Sequence, residues 1–152
     1  MPPPRNAHIY AATGRPTIVA PIYFHSSADY EQDNPIIVDS GEWEEVVSQL
    51  RTALGMFTFR EANLRGQLLT NWPAYRASKL GSVRQFQDVY LRIAVYAVNE
   101  AELFYHATCQ PHGENDITLQ VTLNRYGEDE EIARQLSKLF QVCSRWPAVM
   151  SE

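Results

Sequence analysis

A chain of 152 residues is long enough for one domain that hides about two thirds of its unfolded surface, and its 45% apolar and 11% aromatic content is that of a globular protein, with no need of disorder to explain it. Two cysteines are too few for a disulfide scaffold and fit buried free thiols. The formal net charge of −5 argues against direct nucleic-acid binding, which needs clustered Lys and Arg.

Charge is unevenly spread along the chain. From residue 16 to 50 there are seven carboxylates (Asp29, Glu31, Asp33, Asp39, Glu42, Glu44, Glu45) and no Lys or Arg. From 51 to 92 the balance reverses, with Arg51, Arg60, Arg65, Arg76, Lys79, Arg84 and Arg92 against Glu61 and Asp88. No apolar run approaches the roughly 18 residues of a membrane-spanning helix, and MPPPRNAHIY lacks the order of a secretory signal, so the expected compartment is the cytoplasm, without membrane contact.

In chain order, AHIYAA (7–12) and TIVAPIYF (17–24) predict a strand pair about the TGRP turn. Pro21 predicts that the second strand is an edge or carries a bulge. SSADYEQDN (26–34) reads as an acidic loop and PIIVD (35–39) as a short strand. Ser40 is the expected cap of a helix over 42–56, whose stripe is Trp43, Val46, Val47, Leu50, Ala53, Leu54 and Phe57, ending near Gly55.

Residues 58–88 mix helix formers with Gly66, Pro73 and Gly81 and predict short helices, starting near Asn71 and after Ser82. Three strands are expected at 89–98, 101–109 and 116–123. The last alternates Ile117, Leu119, Val121, Leu123 with Thr118, Gln120, Thr122, so one sheet face is covered and the other partly wet. A final helix over 129–144 carries Ile132, Leu136, Leu139, Phe140 and Cys143. The sum is a single α+β domain, a mostly antiparallel sheet flanked by two long amphipathic helices and shorter ones, with loose ends at 1–6 and 147–152. The helices EEVVSQLRTALGMF and EEIARQLSKLFQVC match in character, which suits either two related strand-then-helix units or the shared grammar of amphipathic helices.

The scattered glycines form neither a phosphate loop nor a G-x-G-x-x-G run, and the G-x-S-x-G elbow is missing, so no catalytic residues and no cofactor are assigned. His106, Cys109 and His112 have a metal-like spacing, with Cys143 as a distant fourth group. On a strand, however, His106 and Cys109 point to opposite faces, and no metal is assigned there. Asp29, Glu31 and Asp33 alternate as calcium ligands often do. An EF-hand would need Gly and Glu where Asn34 and Ser40 stand, which leaves a solvated loop or a partner surface as the readings. Tyr23, Phe24, Tyr30 and Tyr126 near the acidic segments lean toward the partner surface, since aromatic anchors beside carboxylates suit a basic protein.

IYAATGRPTIVAP, then IIVDSGEWEEVVSQLRTALGMF, ASKLGSVRQF and EEIARQLSKLFQVC follow one another in an order that resembles the immunity proteins of bacterial contact-dependent growth inhibition systems (CdiI type), over most of residues 7–143. The resemblance implies a non-enzymatic protein that neutralises the C-terminal domain of a toxin delivered by a neighbouring cell, often a nuclease with a basic cleft. It leaves the oligomeric state open. The expected toxin-facing residues are Asp29, Tyr30, Glu31 and Asp33, then Glu114 and Asp116. Two other readings remain: a small ligand-binding or enzymatic domain using Tyr96, His106 and His112, and an adaptor using Arg60, Arg65, Arg76 and Arg84.

Overall fold

The computed structural model describes residues 5–61, 71–97 and 102–147; Arg65, and all but residues 5, 6 and 147 of the ends expected to be loose at 1–6 and 147–152, lie outside them. The described elements are β1 (Arg5–Ala11), β2 (Thr17–His25), β3 (Ala28–Glu31), β4 (Ile36–Val38), α1 (Trp43–Gly55), β5 (Thr58–Phe59), α2 (Pro73–Ser78), α3 (Val83–Val89), β6 (Leu91–Ala97), β7 (Phe104–Cys109), β8 (Leu119–Asn124) and α4 (Asp129–Ser144). They form the expected α+β fold. One mostly antiparallel sheet runs β3-β2-β1-β6-β7-β8, with β4 and β5 also paired to β2. Among the described residues no helix is long and apolar enough to cross a membrane.

Strand alternation sorts the sheet into two faces. Ala7 and Ile9 on β1, Ile93 and Val95 on β6, Ala107 and Cys109 on β7, and Leu123 on β8 face α1 and α4, whose Val46, Val47, Leu50, Leu54, Ile132, Leu136 and Leu139 complete the main core. Trp43 and Phe140 join the two helices, ring to ring at 5.8 Å. Arg51 on α1 fastens them further, donating to Asp129 Oδ1 at 2.9 Å and to the carbonyls of Arg125 (2.9 Å) and Gly127 (3.0 Å). Cys109 and Cys143 meet inside this core as free thiols; their mutual hydrogen bond and burial push the Cys109 thiol well above its ordinary range, so it stays protonated.

The opposite face is covered only in part. Tyr10, Ile18 and Ala20 pack under α2 and α3 with Ala74, Phe86 and Tyr90, leaving the adjoining part of β6 and β7 open. Ser82 caps α3 as expected, accepting from the Gln85 N–H at 3.1 Å.

Four expectations need correction. β2 is an interior strand, and the bulge sits in its partner: the β2–β3 register pairs Ile22 with Glu31 while the β2–β4 register pairs Val19 with Ile36, so Ala20 and Pro21 oppose four residues, 32–35. The Pro21 carbonyl accepts from the Gln32 N–H at 2.8 Å and so points to that bulged side; its missing N–H lies on the same side, where the ladder is already broken. Ser40 does not cap α1 directly but accepts from the Glu42 N–H at 3.1 Å, one step before the helix begins at Trp43. Arg5 and Asn6 belong to β1, and Asn6 is buried. The acidic stretch at 26–34 is a hairpin arm, because Ser26 and Ser27, with φ of 48° and 72°, close a two-residue turn between His25 and Ala28.

Candidate functional site

Because 28–31 is a strand, residues two apart share a face. Asp29 and Glu31 therefore both turn over β2 toward β1, where Asn6, His8 and Tyr10 share the same face. Asn6 Nδ2 donates to Asp29 Oδ2 at 3.0 Å. The Glu31 carboxylate, its side chain only 6% exposed, takes four donors. His8 Nδ1, at 3.1 Å, and the Tyr10 hydroxyl share Oε2, while Trp72 Nε1 (2.9 Å) and the Ala74 N–H (3.2 Å) reach Oε1.

This cluster clasps β3, β1 and α2 together. Burial alone would raise the Glu31 pKa, but the hydrogen bonds from His8, Tyr10 and Trp72 favour the ionised form and hold it below the usual carboxylate range. Burial and the neighbouring Glu31 charge raise the Tyr10 phenol far above its ordinary value, so it remains a donor. An ionised carboxylate only accepts, which assigns the proton to Nδ1 of His8. The expectation that Glu31 faces a partner is thus corrected: its charge is consumed internally.

Toward the tip of the hairpin this same face is open to solvent. Across β3, β2 and β5, the paired positions Asp29, Phe24 and Phe59 form one row on one face. Asp29 is exposed, Phe59 is 61% exposed, and the Phe59 ring meets those of Phe24 (5.8 Å) and Phe57 (5.9 Å) edge to face. A hollow of about 250 Å³ opens here, lined by Phe24, His25, Ser26, Phe59, Arg60 and Glu61. In the next row, on the other face, Tyr30 stacks on Tyr23 at 5.6 Å and the Arg60 guanidinium lies 4.6 Å from the Tyr23 ring centre. Sequence reasoning passed over Phe59 because a two-residue strand with no alternation leaves no periodic signal.

Asp33, in the bulge, is exposed, and it lines a separate cleft with Arg76 and Lys79. Glu114 and Asp116 sit in the β7–β8 connection, where the Gln110 side chain donates to the Glu114 carbonyl and Asp116 is exposed. That connection lies beyond β2, β1 and β6, roughly 19 Å from β3 at about 4.8 Å per strand. The six expected contact residues therefore do not form one patch.

Between α2, α3 and the open sheet face lies a cleft of about 640 Å³, with Tyr10 and Trp72 on one side, Arg92, Tyr96 and Thr108 on its floor and His112 and Glu114 opposite. His106 is not among its lining residues and pairs with Glu102 at 2.7 Å. It and Cys109 occupy opposite faces of β7, as their odd spacing requires. Among the described residues no group of three or more His, Cys, Asp or Glu side chains is placed to hold a metal ion.

No protein-family model matches the chain, and no curated protein matches it. Among solved structures, a protein of unknown function from Neisseria meningitidis superposes with a TM-score of 0.67 over 92% of this chain and 95% of that one, at 13% identity. At that identity the likeness establishes a shared fold and nothing about activity.

Proposed function

We propose that this chain is a cytoplasmic immunity protein of the contact-dependent growth inhibition type, which neutralises a toxin domain by binding it without chemistry of its own. The observation that carries the reading is the outward row of Asp29, Phe24 and Phe59 beside the hollow at the hairpin end: a carboxylate next to an exposed aromatic anchor suits a protein partner with a cationic, partly apolar surface. The order of sequence segments resembling that family supports it from a second side. The electrostatic part is narrower than the sequence implies, because Glu31 is spent on the clasp and Asp33 lines a separate cleft along with Arg76 and Lys79. Asp29 and the aromatic row carry the contact, while Tyr30, stacked on Tyr23, stiffens the arm.

The reading requires a gene for a large secreted protein immediately upstream of this chain's own, and the test is co-expression with the C-terminal fragment of that protein. Co-purification and rescue of growth are the expected outcomes. Rescue without a complex, or a complex that leaves the toxin active, would remove the reading.

A second reading rests on the 640 Å³ cleft, large enough for a small ligand and walled by Tyr10 and Trp72, whose polar atoms Glu31 holds in place. Small-molecule co-purification that is lost in Arg92→Ala and Tyr96→Phe variants would favour it over the immunity reading.

A further inference from the structure

The two borders of the sheet are built differently. On the β3 side the outermost strands are short, two carboxylates lie within four residues, and the bulge at 32–35 interrupts the ladder, which are the devices by which proteins keep an edge from pairing with another chain. The β8 border has none of them. From Ile117 to Asn124 the sequence ITLQVTLN contains no charge, no proline and no glycine. β8 is regular against β7 over all six residues, and among the described residues no strand lies beyond it. Beside its C-terminal end Tyr126, Leu103 and Phe104 are left 66%, 58% and 42% exposed.

We propose that β8 is a self-association edge, at which two copies of this chain join antiparallel to make one continuous sheet. The sequence of the strand is self-complementary about Val121. With a two-fold axis there, Val121 meets Val121 of the second copy, Leu119 meets Leu123, and Gln120 meets Thr122. Directly opposed residues in an antiparallel pair share a face, so apolar side chains meet on the helix-bearing face and an amide meets a hydroxyl on the open one. No like charges face each other. Beyond the strand the same register sets Arg125 opposite Ile117, one residue from Asp116 of the other copy, which places opposite charges near one another at both ends of the ribbon. A heterologous partner strand is the competing occupant; the symmetry of the pattern favours a second copy. The inference stands apart from the immunity reading, since it concerns the chain without any toxin.

Sedimentation equilibrium of the purified chain tests it. The mass should rise from 17.4 kDa toward twice that value as concentration is raised from about 1 µM to about 1 mM, the span of a weak association. In the double variant Gln120→Lys, Thr122→Lys, both positions exposed, two lysine pairs would face each other across the ribbon, and association should weaken by more than about tenfold with the thermal midpoint unchanged. Independently of that variant's folding, Val121→Cys should form a disulfide-linked dimer under glutathione disulfide, because opposed Cα atoms about 4.5–5.5 Å apart suit a disulfide. Ser48→Cys, exposed on α1, should not. A constant 17.4 kDa mass throughout, or a dimer that the lysine pair leaves intact, or cross-linking no better at 121 than at 48, overturns the proposal.

Discussion

Replacing Glu31 with alanine removes the acceptor on which His8, Tyr10, Trp72 and the Ala74 N–H converge. Each buried donor left without a partner costs about 1–3 kcal/mol. Water entering beside His8, whose side chain is 14% exposed, recovers part of this, so a net loss of about 3–5 kcal/mol is expected, as for breaking other buried charge networks. For a chain of this length that lowers the thermal midpoint by roughly 6–20 °C. Glu31→Gln keeps the shape and one acceptor oxygen, and Tyr10 can turn its hydroxyl to accept from the new amide, so about 1–3 kcal/mol is expected.

The pH dependence separates charge from shape. Glu31 has a folded pKa below its unfolded one, so its contribution is fully present above the unfolded carboxyl pKa and is lost as pH falls through the folded value. The stability gap between wild type and Glu31→Gln should therefore be widest at neutral pH and shrink in acid. Urea denaturation followed by circular dichroism at several pH values reads this directly. A gap that stays constant from about pH 7 to about pH 3, or an alanine variant with an unchanged midpoint, would refute the clasp.

Three further outcomes follow from the packing and the exposed row. Leu50→Ala, fully buried between α1 and the sheet, should cost about 2–5 kcal/mol in urea unfolding through the cavity it leaves. Arg51→Ala should cost about 1–3 kcal/mol, because it frees the β8–α4 turn from α1, and Arg51→Lys should recover little, since one ammonium cannot reproduce three divergent guanidinium contacts. Phe59→Ala should leave the thermal midpoint nearly unchanged, yet weaken toxin binding by about 2 kcal/mol or more in calorimetric titration.

The two long helices are legible in the sequence because their apolar residues repeat at helical spacing over three turns and more, and α4 occupies the expected 129–144. The alternation at 117–123 likewise announces a strand with one covered face. The β2–β3 hairpin is not legible, since its turn is Ser26-Ser27 in place of the Asn-Gly or Asp-Gly pair that usually marks two positive φ values. Missing that turn converts a strand into a loop, and with it an inward carboxylate into an outward one. Glu31 carries no local mark of its fate: the donors that bury it come from β1 and α2, up to 43 residues away. The bulge opposite Pro21 is half legible, in that the proline announces an interrupted ladder but not which strand carries the interruption.

Association kinetics with the toxin fragment, measured by stopped flow over a range of ionic strength, test the central claim most directly, comparing wild type with Asp29→Asn, which keeps an acceptor for Asn6. Capture through an outward carboxylate beside an aromatic anchor predicts a wild-type rate that falls as salt rises and a shallower dependence in the variant. Identical salt dependence in the two proteins, together with full affinity in Phe59→Ala, would place the contact elsewhere on the molecule.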